Sequence, residues 1–131
     1  TIPEIFDKFG EQHFRALEAS YIRKLSGGNI VATGGGAIIN PQTAEFARKS
    51  GAVIFINTDF ETCYARIQGD QNRPLVMNST KAQLKELYNK RKPIYKAQST
   101  YTVNGNGRTE IISEEIIRLA NYWQRYENGN I

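Results

Sequence analysis

Five arginines stand out by their position, and with a run of three glycines they are the groups best suited to chemistry in this sequence. Arg15 has Glu18 one helical turn further on, a spacing at which the two side chains can meet. Arg73 precedes a proline, which biases its backbone to extended conformations and leaves the side chain free to reach. Arg91 closes a helical stretch just before Pro93 and Tyr95, Arg66 precedes a helix stop at Gly69, and Arg108 follows a glycine-rich turn. A guanidinium offers a planar fork that makes two parallel charge-assisted bonds to a carboxylate or phosphate. The run Val31-Ala32-Thr33-Gly34-Gly35-Gly36 adds a bare backbone whose amides a ligand can approach closely. Other chemistries have less support. His13 reads as a helix-surface residue, and with no second histidine and no cysteine pair there is no basis for a transition-metal site. The acids Glu11, Glu18 and Asp59 show no spacing that singles out an acid/base pair.

The elements that must position these groups alternate in type. Thr1, Pro3 and Glu4 form a cap and first turn of a short helix that Gly10 ends. From residue 11 to Ser26, Phe14, Leu17, Tyr21, Ile22 and Leu25 recur at helical spacing, before Gly27 and Gly28. Residues 29–33 read as a buried strand that delivers the glycine run at its carboxyl end, where small polar ligands bind in α/β sheets. Asn40-Pro41 opens a helix that Gly51 terminates. Residues 52–56 form a near-continuous apolar run, as in a parallel strand covered on both faces. Thr58 caps the next helix, and a polar stretch from 70 to 79 carries Arg73-Pro74-Leu75. A long helix from Thr80 presents Leu84, Leu87 and Tyr88 on one face until Pro93 breaks or kinks it. A short strand at 101–103, a turn at 104–107 and a helix with Ile112, Ile116, Leu119, Ala120 and Trp123 complete the chain. This alternation predicts an α/β layer fold with a mostly parallel sheet.

Composition narrows the class. A chain of 131 residues fits one domain, and 40% hydrophobic with 23% charged residues is ordinary for a globular protein. No apolar run reaches the length of a membrane span. The single cysteine, Cys63, forms no internal disulfide and suits a reducing cytoplasm. A net charge of +4 permits nucleic acid but does not argue for it, since the basic residues are scattered and not interleaved with aromatics. An anionic small molecule accounts for the excess equally well.

Taken in order, Phe14-Arg15-x-x-Glu18, Thr33-Gly34-Gly35-Gly36, Arg73-Pro74-Leu75 and Arg91-x-Pro93-x-Tyr95 resemble the shikimate kinases, as does Ile2-Pro3-Glu4-Ile5-Phe6. The resemblance runs through essentially the whole chain. It implies a P-loop kinase-like three-layer fold, and transfer of the ATP γ-phosphoryl group to the 3-hydroxyl of shikimate in aromatic amino acid biosynthesis. Carried over by position, Arg15 and Arg91 would grip the shikimate carboxylate, with Glu18 orienting Arg15 and Phe14 walling the pocket. Gly34, Gly35 and Gly36 would line the substrate hydroxyls. Arg73 would act as the catalytic arginine, closing on the transferring phosphate from a lid at 70–79. Arg66 and the turn at 106–110 would flank the adenine, although the turn lacks the family's proline. The implied partners are shikimate and ATP with Mg2+, without nucleic acid or membrane, for a cytoplasmic monomer.

The resemblance also implies a departure. No Gly-x-x-x-x-Gly-Lys-Ser/Thr phosphate loop occurs, and the chain opens on a helix. The expectation is a single domain over 1–131 that lacks the family's first βα unit, with the main ATP and Mg2+ ligands in that unit. Such a unit takes roughly 30 or more residues. The chain by itself would then be inactive. The alternative is a non-catalytic shikimate-binding or regulatory module.

Overall fold

The computed structural model describes residues 1–25 and 27–128. Helix α1 (Ile2–Arg23) starts on a reciprocal cap: the Thr1 hydroxyl accepts from the Glu4 amide, and the Glu4 carboxylate takes the Thr1 amine. Gly10, at φ 85° and ψ 169°, interrupts it as the glycine pattern predicts, so two helical pieces run head to tail across a kink. The second piece ends at Arg23; the predicted end at Ser26 lies outside the described residues.

Residues 29–33 do not form the expected strand. They run as irregular chain with Ile30 and Val31 exposed. An apolar run becomes a strand only beside a partner for its backbone groups, and among the described residues none pairs with it. After the glycines, the chain turns through buried Gly36, Ala37 and Ile38 into α2 (Pro41–Ser50). Asn40 caps that helix by accepting from the Gln42 and Thr43 amides, and Pro41 fills the first position, where no N–H is needed.

Strand β1 (Ile54–Asn57) pairs in parallel with β2 (Tyr101–Asn104), Ile54 opposite Tyr101 and Asn57 opposite Asn104. A parallel pair needs a crossover, here α3 (Phe60–Ile67), α4 (Pro74–Met77) and α5 (Lys81–Gln98). Asp59, not Thr58, caps α3, because its carboxylate reaches both the amide and the hydroxyl of Thr62. Thr58 serves instead as an anchor: its carbonyl accepts from the Tyr88 hydroxyl of α5 at 2.6 Å. Pro93 does not break α5, which runs on to Gln98 and is clasped to α2 by Arg48 donating to the Gln98 carbonyl and amide oxygens. Helix α6 (Thr109–Tyr126) lies against β2 and buries Trp123, on the face its periodicity predicts. The described chain is thus an α/β arrangement with a parallel sheet of two strands, and its core gathers around Ala37, Ile38, Ala44, Leu84, Val103 and Trp123.

Candidate functional site

Three elements converge on one cavity of about 450 Å³: the second half of α1, the turn from the glycines into α2, and α5. Arg15, Glu18, Gly36 and Arg91 all line it, so residues up to 76 positions apart in sequence meet there (91 − 15 = 76). The first turn of α2, Asn40 to Thr43, forms another wall, which sets the positive end of that helix dipole at the cavity.

Arg15 is held on both sides by its own helix. Its Nη1 donates to Glu18 Oε1 at 3.0 Å, and its Nη2 lies 3.7 Å from Glu11 Oε1. Only 26% of the Arg15 side chain and 13% of Glu18 remain exposed, so solvent screens this pair weakly. Glu18 is the partner that the i, i+3 spacing points to; Glu11 is one it does not single out. The i, i+4 spacing from Glu11 to Arg15 was the available signal. Phe14 does not line the cavity as the resemblance implies. Its ring backs the Arg15 guanidinium, 5.0 Å from the centroid, and leans on Phe6.

Arg91 differs in its surroundings. It is half-buried and faces the cavity, and among the described residues no carboxylate lies within ion-pair distance of it. A guanidinium in that position, beside one already neutralised by two carboxylates, is the natural seat for an incoming anion.

The glycines are required by close approach, not by an unusual backbone, since none of the three has a positive φ. A Cβ on Gly34 would lie 2.7 Å from Glu18 Oε2. One on Gly36 would lie 2.3 to 2.6 Å from the Arg15 guanidinium. One on Gly35 would sit 3.2 Å from the Tyr95 hydroxyl and 3.3 Å from Arg91 Nη1. Each glycine therefore faces a different site side chain, and the loop lies flat against all of them.

The remaining predicted residues stand apart. Arg73 does not line the cavity; it is exposed on the 70–79 segment, its Nε donating to Asp70 Oδ2 at 3.0 Å. Arg66 is exposed in the last turn of α3. The 106–110 turn touches the opposite end of that helix, where Asn106 Oδ1 accepts from the Asp59 amide. Cys63 is half-buried against the Thr58 carbonyl, and burial pushes its thiol up, away from the reactive thiolate. Among the described residues there is no group of three His, Cys, Asp or Glu able to hold a metal ion. None of their helices is long and apolar enough to cross a membrane.

The sequence model of the shikimate kinase family matches residues 1–121. A shikimate kinase of Rhizobium leguminosarum is 36% identical over 121 residues, covering 90% of this chain and 62% of the relative. One from Geobacter sulfurreducens is 34% identical over 130 residues, covering 97% and 70%. Among solved structures, shikimate kinase from Acinetobacter baumannii in complex with shikimate superposes with a TM-score of 0.84 at 33% identity, over 93% of this chain and 70% of that one. The Aquifex aeolicus shikimate kinase gives 0.76 at 30% identity, over 96% and 74%. The chain therefore spans less than two thirds of the Rhizobium relative's length.

Proposed function

Since the chain belongs to the shikimate kinase family, we propose that its cavity is the acceptor side of a site for ATP-dependent phosphorylation of the 3-hydroxyl of shikimate. The observation that carries this reading is the asymmetric arginine pair. Arg15 is held by Glu11 and Glu18, while Arg91 faces the same cavity with no carboxylate partner among the described residues. A substrate carboxylate placed between them bonds the free fork of Arg91 and the remaining donors of Arg15. The backbone of Gly34 to Gly36, bare of side chains, then lies within reach of the hydroxyl face of the ring.

Phosphoryl transfer asks a protein mainly to position the partners and to neutralise charge on the transferring group. In this reading Arg73 supplies that charge when the 70–79 segment closes, giving up its exposed bond to Asp70. Such a surface pair is worth about 1 kcal/mol or less, so little opposes its release. The resemblance assigns the nucleotide base to Arg66 and the 106–110 turn. These border opposite ends of α3 in the described chain, so Arg66 has to reach along the helix to share it. Among the described residues no group of three His, Cys, Asp or Glu is placed to hold Mg2+. Shikimate and ATP are the partners proposed for a cytoplasmic monomer.

Titration calorimetry with shikimate tests the reading. Arg91→Ala is expected to weaken binding by about 10- to 100-fold, the range of a charge-assisted bond, while the thermal midpoint stays near the parent's because no ion pair is lost. Affinity unaltered in Arg91→Ala would refute the assignment.

A further inference from the structure

Tyr95 stands four residues beyond Arg91, one turn further along α5, and it joins three elements. Its hydroxyl donates to the carbonyl of Gly35. Its ring leans on Phe55 of β1, with centroids 5.3 Å apart at 47°. Gly35 is also where an added Cβ would meet both Tyr95 and Arg91. Few other hydrogen bonds fix the glycines. Among the described residues, their one backbone hydrogen bond is Ala37 N–H donating to the Gly34 carbonyl at 3.2 Å. Three glycines in sequence have the greatest backbone freedom a chain can have.

We propose that Tyr95 is a positioning residue: its hydroxyl pins the middle peptide of the glycine loop to the helix that carries Arg91, and so sets the spacing between the guanidinium and the loop backbone. The proposal rests on the shikimate reading of this cavity. The division of labour within the side chain is clear. The ring holds α5 against β1, and the hydroxyl alone addresses the loop. Because Gly35 is exposed, water can replace the lost bond, and the fold does not depend on it. Site geometry does depend on it, since water does not tie the loop to α5.

The test compares Tyr95→Phe, which keeps the ring, with Tyr95→Leu, which loses both ring and hydroxyl. Three readouts are needed: shikimate affinity, thermal midpoint, and the backbone amide NMR signals of Gly34, Gly35 and Gly36 without ligand. In Tyr95→Phe the glycine amides should shift or broaden while those of residues 11–18 stay in place. Shikimate binding should weaken about two- to tenfold, the range of one neutral hydrogen bond. The midpoint should hold in Tyr95→Phe and fall in Tyr95→Leu. Glycine amides that ignore the loss of the hydroxyl overturn the proposal, whatever the affinity does. So does an unchanged affinity in a parent that binds, or a fall in midpoint as large in Tyr95→Phe as in Tyr95→Leu. If the parent binds no shikimate yet its glycine amides respond to Tyr95→Phe, the substrate reading fails and the positioning role stands.

Discussion

Replacing Gly36 by alanine sets two effects of opposite sign against each other, and the structure decides between them. Gly36 has no positive φ, so alanine is conformationally allowed there. Restricting the unfolded chain would then stabilise the protein by about 0.4 to 1 kcal/mol. The new methyl, however, would lie 2.3 Å from Arg15 Cζ and 2.5 and 2.6 Å from its two terminal nitrogens. The guanidinium, at the end of a flexible side chain, must move, and loss of its 3.0 Å bond to Glu18 is the expected cost. A charge-assisted bond in this weakly screened setting is worth about 1.5 to 3 kcal/mol. The net expectation is a loss of about 1 to 2 kcal/mol. For 131 residues the entropy of unfolding is roughly 0.28 kcal/mol per degree, so the midpoint should fall by about 4 to 7 °C. Calorimetric melting of Gly36→Ala beside Gly51→Ala measures it. Gly51 has extended backbone at φ −176° and open space around its Cβ position, so its alanine should be neutral or stabilising. A Gly36→Ala midpoint at or above the parent's would refute the argument that the glycine is kept for Arg15.

On the proposed lid role, Arg73→Ala in a form that phosphorylates shikimate should lower kcat far more than it raises the KM for shikimate, because a contact made only in the transition state would be lost; steady-state kinetics with unchanged kcat would reject that role. Thr43 is fully buried and its hydroxyl has no hydrogen-bond partner among the described residues, so Thr43→Val should raise stability by about 1 kcal/mol in urea unfolding; a loss of that size would point to a bound partner for the oxygen. The Thr62 amide, and then its hydroxyl, hold the Asp59 carboxyl below the usual aspartate range. A lowered folded value means the stability it contributes is complete above the unfolded value and is lost as pH falls through the folded one. The melting difference between the parent and Asp59→Ala should therefore be constant near neutrality and vanish in acid, and a difference that grows with acidity would contradict the sign.

Local chemistry made much of this protein legible from its residues. The Thr1–Glu4 cap, the stop at Gly10, the Asn40-Pro41 start and the burial of Trp123 each depend on neighbours a few residues away, and each appears where the pattern puts it. Residues 29–33 and Pro93 show where that reading ends. An apolar run is a strand only if another segment takes its backbone bonds, and a proline's lost bond can be outweighed by packing along the rest of a helix. The Arg15–Glu18 pair was readable because a helical turn brings i and i+3 together. That Arg91 has no carboxylate beside it among the described residues, that Tyr95 reaches Gly35, and that each glycine faces a different side chain depend on segments from 16 to 60 residues apart. The types and order of the residues carry the family, but which charges are already satisfied is settled only by the packing of α1, the glycine turn and α5 around one cavity.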